Sequence, residues 1–126
     1  MFFKTTEQHE DFRARIREFA ESEVKPQAFL LDKENRFPTE AIEKLGKMGV
    51  LGTPYPKEYG GAGLDVLSYA IAVEELSRVD GGTGVILSAH VSLGTYPIFA
   101  YGTEEQKQKY LIPLVKGEKL AAFGLT

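Results

Sequence analysis

The chain has 126 residues, 43% of them hydrophobic, with a formal net charge of −3 and no cysteine. That length and composition suit one globular domain able to bury a core without disulfide or metal staples. Zinc-finger, thiol-nucleophile and disulfide-framework classes are excluded, and intermixed charges without a long basic run leave no electrostatic footprint for nucleic acid.

Met1-Phe2-Phe3-Lys4, followed by Glu7, Glu10 and Asp11, has neither a basic and then apolar leader nor the acid-poor character of a transit peptide. It predicts a cytoplasmic chain, or one already processed. Thr5-Thr6-Glu7-Gln8 reads as a capping box with Thr5 as the cap and Gln8 reaching back. The helix it opens carries Phe12, Ile16, Phe19, Ala20 and Val24 on one stripe, and Pro26 is expected to end or kink it, with Phe29-Leu30-Leu31 adding a turn.

A second helix starts at Thr39, carries Ile42 and Leu45, and stops at Gly49, a natural left-handed C′ position. Residues 53–64, punctuated by Pro54, Pro56, Gly60, Gly61 and Gly63, form a loop, and Asp65 caps the third helix. That helix is apolar through Tyr69-Ala70-Ile71-Ala72-Val73 and therefore central, with Glu74, Glu75 and Arg78 on its polar side. The fourth follows Asp80-Gly81-Gly82 and runs to Tyr101 with a kink at Pro97; its Ser88, His90, Ser92, Gly94, Thr95 and Pro97 make it too polar for a membrane span. The fifth opens on the Thr103-Glu104-Glu105-Gln106 capping box and closes at Gly117. Leu120 to Leu125 reads as a strand. The class is an all-α, antiparallel bundle-like domain of about five helices with the start of a β-strand at its C-terminus.

Few residues offer chemistry outright. Gly60-Gly61-Ala62-Gly63 and Gly81-Gly82-Thr83-Gly84 complete neither dinucleotide nor P-loop patterns and read as interhelical turns. His9 and His90 are too few and too separated for a metal site, and His90 reads as a satisfied core histidine. Glu74 and Glu75 point about 100° apart and do not flank one substrate bond. Ile86, Ala89, His90 and Leu93 share one face at i, i+3, i+4 and i+7, a spacing that suits either core packing or one wall of an apolar ligand groove.

Four segments carry a more specific signal in their order and spacing: residues 56–65 (PKEYGGAGLD), 74–80 (EELSRVD), 101–111 (YGTEEQKQKYL) and 122–126 (AFGLT). Together they make nearly the whole chain resemble the N-terminal α-domain of the acyl-CoA dehydrogenase family, and the segment from Ser92-Leu93-Gly94 to Tyr101-Gly102 looks most like its short-chain, butyryl-type members. The resemblance implies residues 1–119 as that helical domain and 120–126 as the first strand of a middle β-domain. It implies FAD as cofactor and oxidation of an acyl-CoA thioester to its trans-2-enoyl-CoA. A carboxylate base removes the α-proton as the β-hydrogen leaves as hydride.

By the same resemblance Phe123, Leu125 and Thr126 lie at the flavin, and Ile86, Ala89 and Leu93 line the acyl pocket. Electron-transfer flavoprotein is the implied redox partner, and self-association is expected of the full-length enzyme. The family's Glu-Pro continuation, middle domain and C-terminal bundle, which holds the catalytic carboxylate, lie outside this sequence. No catalytic residue is therefore assigned, and the 126 residues alone are expected to be inactive and to hold FAD weakly or not at all. Flavin oxidases and monooxygenases of the same fold, and a stand-alone helical binding or assembly module, are the alternative readings.

Overall fold

The computed structural model describes residues 4–125, and among these the secondary structure is helical with no strand. Five helical rods and two short 3₁₀ turns, Val50–Gly52 and Lys57–Tyr59, account for it. α1 (residues 7–33) joins Glu7–Phe19, a wide π segment Ala20–Val24, and Lys25–Lys33. α2 is Thr39–Lys47 and α3 is Val66–Ser77. α4 (residues 81–101) joins Gly81–Ser88, the π segment Ala89–Thr95, and Tyr96–Tyr101. α5 (residues 104–115) joins Glu104–Gln106, the π segment Lys107–Leu111, and Ile112–Val115.

The prolines explain the three π segments. Pro26, Pro97 and Pro113 each sit two residues beyond the end of one. Proline lacks the N–H that the i−4 carbonyl would use, and its ring crowds that carbonyl. Widening the preceding turn relieves both problems without breaking the rod. Of the two outcomes expected at Pro26, an end or a kink, the end does not occur: the helix runs another seven residues to Lys33 and includes the added turn expected at Phe29-Leu30-Leu31.

The first cap also differs by one residue from expectation. Thr6, not Thr5, caps α1: its Oγ accepts from the His9 N–H, while His9 Nδ1 accepts from the Thr6 N–H at 3.0 Å. The imidazole takes the part expected of Gln8 because its other nitrogen, Nε2, is held 2.9 Å from the Asp65 carboxylate at the start of α3. The other predicted caps hold: Asp65 and Thr103 cap α3 and α5. Asp80, which the sequence placed only before the helix, caps α4, and Gly49 and Gly117 adopt left-handed conformations just beyond α2 and α5.

α3 packs against both α1 and α4, as its continuous apolar sequence requires. Ile71, Ala72 and Leu76 meet the α1 stripe of Phe12, Ile16, Phe19, Ala20 and Val24, with Leu87 and Val91 of α4 and Leu111 and Val115 of α5 completing the core. Each such large side chain contributes about 1.5–3 kcal/mol by burial. On the polar side of α3, Glu75 is ion-paired yet buried: it is 1% exposed and lies among Arg13, Arg17 and Arg78. Sequence spacing shows only the Arg78 partner, because the other two come from α1.

The buried Thr95 hydroxyl finds no hydrogen-bond partner. Its nearest backbone acceptor by helical spacing, the Val91 carbonyl, already takes the Tyr55 hydroxyl at 2.5 Å. Thr95→Val keeps the shape and removes an unsatisfied polar atom, so it is expected to raise stability by about 1 kcal/mol, read as a higher urea midpoint. A lower midpoint would show that the hydroxyl has a partner in solution.

Leu120 to Leu125 do not form the predicted strand; a strand exists only when a neighbour pairs with its backbone, and among the described residues no neighbour does. Among the described residues, no helix is long and apolar enough to cross a membrane.

Candidate functional site

The two glycine-rich segments are already self-satisfied. In residues 60–63 every backbone N–H is used inside the loop: Gly60 donates to Lys57, Gly61 to Pro56, Ala62 to Gly52 and Gly63 to Tyr55. None is left to cradle a phosphate. At the start of α4 the Asp80 carboxylate occupies the helix N-terminus, accepting from the Thr83 N–H at 2.8 Å and the Thr83 hydroxyl at 2.6 Å, so an incoming anion would meet a negative charge. Among the described residues there is also no cluster of three acidic or histidine ligands for a metal ion.

α4 carries the remaining candidates. Its orientation is set from two sides, by the Tyr55 hydroxyl on the Val91 carbonyl and by the Tyr69 hydroxyl, which donates to the Ser88 carbonyl at 3.3 Å. With Leu87 and Val91 turned into the core, Ile86 and Ala89 are half-buried and Leu93 is 49% exposed. The stripe is therefore neither fully core nor fully solvated. Ile86 edges an open cleft of about 470 Å³ shared with Ala28, Leu31 and Phe37.

His90, which the sequence left as a satisfied core residue, is buried and has both ring nitrogens engaged. Nε2 lies 3.1 Å from the Leu114 carbonyl, and Nδ1 accepts from the Ala121 N–H at 3.0 Å. A carbonyl only accepts and an amide N–H only donates, so the ring is the neutral tautomer with its proton on Nε2. Burial agrees, pushing the imidazole below its ordinary range despite the opposing Leu114 carbonyl. One turn on, Gly94 lies directly under Ala121: a Cβ at Gly94 would stand 2.3 Å from the Ala121 Cβ and 2.9 Å from its carbonyl carbon.

These two contacts seat residues 120–122 against α4, the helix that also carries Ile86, Ala89 and Leu93. Beyond them Phe123 and Leu125 are 53% and 78% exposed; Thr126 lies outside the described residues. The structure thus brings the start of the predicted flavin segment to the helix that carries the predicted acyl wall. Periodicity could not reveal this, because His90 and Ala121 are 31 positions apart.

Residues 6–118 match the family model for the acyl-CoA dehydrogenase N-terminal domain. The chain belongs to the acyl-CoA dehydrogenase family. It is 61% identical over 126 residues to a short-chain specific acyl-CoA dehydrogenase of Clostridium acetobutylicum, covering all of this chain and 33% of that relative. Butyryl-CoA dehydrogenase from Megasphaera elsdenii superposes with a TM-score of 0.89 at 41% identity, over 95% of this chain and 32% of that one. An acyl-CoA dehydrogenase from Bacillus anthracis, complexed with FAD, gives 0.90 at 39% identity over 98% of this chain and 21% of that one. The chain spans about a third of the length of the curated acyl-CoA dehydrogenase it matches.

A flavin would need both apolar contact and hydrogen-bonding groups, and residues 123–125 carry both kinds of chemistry. Among the described residues the backbone groups of Phe123, Gly124 and Leu125 make no hydrogen bonds, and they sit between two exposed apolar side chains. An isoalloxazine ring has that mixed character, an apolar face and an edge of hydrogen-bonding atoms, so unpaired N–H groups flanked by Phe123 and Leu125 offer matching chemistry.

Proposed function

We propose that this chain is the N-terminal portion of an FAD-dependent acyl-CoA dehydrogenase that oxidises short-chain acyl-CoA thioesters to trans-2-enoyl-CoA. The observation that supports the reading is the seating of residues 120–122 on His90 and Gly94, which ties an apolar segment to the helix that carries the half-exposed apolar stripe. Residues 1–119 are the helical domain and residues 120–126 open a middle β-domain.

Phe123, Leu125 and Thr126 hold and orient the flavin, Thr126 through its backbone or hydroxyl. Ile86, Ala89 and Leu93 form one wall of the acyl site, keeping water from the chain and aligning it. FAD, when bound, supplies the hydride acceptor. The proton-abstracting carboxylate is not among these residues, so the isolated 126 residues do not turn over substrate. Electron-transfer flavoprotein reoxidises the enzyme, which works in the cytoplasm as a homo-oligomer.

The test is to isolate the polypeptide that carries this sequence from its source, tracked by a peptide covering residues 110–116. A mass far above 14.0 kDa, bound FAD and flavin bleaching by butyryl-CoA are expected. A 14.0 kDa species without flavin would replace the reading with a binding or assembly module.

Chain-length choice gives a sharper check on the wall. Ala89→Leu in the complete enzyme adds bulk to the stripe and is expected to lower the hexanoyl-to-butyryl ratio of kcat/KM by about tenfold. An unchanged ratio would remove Ala89 from the acyl site.

A further inference from the structure

We propose that His90 and Gly94 are positioning residues for the flavin, acting through the backbone of residues 121–125 and not by touching the cofactor; this rests on the flavin reading above. The geometry that carries it is a two-point seat on α4. His90 Nδ1 captures the Ala121 N–H at 3.0 Å, and the missing side chain at Gly94 lets the Ala121 backbone lie against the helix. Phe123 follows two residues later and Leu125 four, so the seat sets how far along and at what height the flavin-facing segment leaves α4.

No other backbone hydrogen bond fastens residues 121–125 among the described residues. Upstream, Glu118 and Lys119 are tied to the Pro113 carbonyl by their N–H groups. The segment is therefore held by the α5 turn at one end and by the His90–Gly94 seat at the other. The seat is also linked to α5, because His90 Nε2–H donates to the Leu114 carbonyl. A single imidazole thus fixes α4, α5 and the segment relative to one another, and its two hydrogen bonds can be separated chemically. Asparagine places an amide oxygen near the Nδ1 position and keeps an acceptor for Ala121. Glutamine reaches the Nε2 position, keeps a donor for Leu114, and leaves Ala121 without its acceptor.

The experiment compares His90→Asn and His90→Gln in the complete flavoenzyme, each losing one buried hydrogen bond. Three readouts are taken: the FAD dissociation constant, the flavin absorbance spectrum, and hydrogen exchange of a peptide covering residues 119–125 in the apoenzyme. His90→Gln is expected to weaken FAD binding about tenfold, shift the flavin bands and raise exchange at Ala121 about tenfold, as loss of one buried hydrogen bond allows. His90→Asn is expected to stay within about threefold of the parent in binding and exchange.

Equal losses in both variants would overturn the proposal, since they would assign His90 a general structural role; so would unchanged flavin binding in both. Gly94→Ala provides an independent arm if His90→Gln does not fold: it leaves the imidazole intact, lifts Ala121, and is expected to reproduce the weakened binding and shifted bands, whereas parental flavin affinity would overturn the seat. If the parent enzyme itself binds no FAD, the flavin reading fails, and the exchange rates in residues 119–125 still report whether His90 and Gly94 hold the segment.

Discussion

Glu75→Ala is expected to lower the stability of the domain by about 3–5 kcal/mol, the usual cost of breaking a buried ion pair from one side. Glu75 is 1% exposed, and its carboxylate accepts from Arg17 Nε at 2.9 Å and Nη2 at 2.8 Å, from Arg13 Nη1 at 3.0 Å, and from Arg78 Nε at 3.4 Å. Arg13 also pairs with Glu74, and Arg78 with Glu21. Removing Glu75 leaves three guanidiniums converging on an apolar gap between α1 and α3, and only their partial exposure to water limits the damage.

The same cluster makes a pH prediction. Arg17 above all, then Arg13 and Arg78, hold the Glu75 carboxyl down to about 2 against the opposing effect of burial. In the unfolded chain the group returns to about 4.3. Because the folded value is the lower one, its stabilisation, about 3 kcal/mol on this shift, is fully present above the unfolded value and is lost as the pH falls from there toward 2. Urea titrations of the parent and Glu75→Gln should therefore differ most at neutral pH and converge near pH 2. Equal stability at pH 7 would mean that the arginines do not hold the carboxylate in solution.

Gly61→Ala is expected to cost about 3 kcal/mol or more and to lower Tm by about 10 °C or more. A Cβ at Gly61 would stand 2.1 Å from the Tyr55 carbonyl oxygen and 2.5 Å from its carbonyl carbon. Both are backbone atoms with no rotamer to yield. Nor is Tyr55 free to retreat: its carbonyl accepts from the Gly63 N–H, its ring packs edge-on against Phe99 at 5.4 Å, and its hydroxyl reaches the Val91 carbonyl. Val91 adjoins His90, so the strain passes from the loop to the helix that seats residues 120–122. Thermal unfolding followed by circular dichroism provides the check; a Tm within a degree or two of the parent would show that the loop can open at little cost.

Glycine at position 61 also shows where sequence reading stops. The stretch from Pro54 to Gly63 is recognisable as a turn-rich loop from its residue types, since each favours a particular local backbone geometry. That it folds back on itself and occupies its own N–H groups depends on Gly52, Thr53 and Tyr55 being brought opposite it.

His90 carries the same lesson to the candidate site. A histidine on an apolar helix is legible as buried, but its two acceptor and donor partners come from positions 24 and 31 residues downstream. The apolar stripe of Ile86, Ala89 and Leu93 is legible from its spacing, whereas its half-exposed state and the docking of residues 120–122 on the same helix are not. Phe123 and Leu125 were singled out by a resemblance in sequence, and the contact that seats their segment involves residues the resemblance did not mark.

The all-α class, the five helical rods, the caps at Asp65 and Thr103 and the stops at Gly49 and Gly117 are legible in the sequence, because each of these is decided within one or two turns of chain. The shift of the first cap to Thr6, the burial of Glu75 and the seat at His90 were decided only by the tertiary structure. Each depends on a polar group that must find its partner once water is excluded, and those partners are distant in the chain. The continuation of α1 through Pro26 stands between the two: proline announces the conflict, and the packed stripe on either side, from Phe19 and Ala20 to Val24, favours a widened turn over a break.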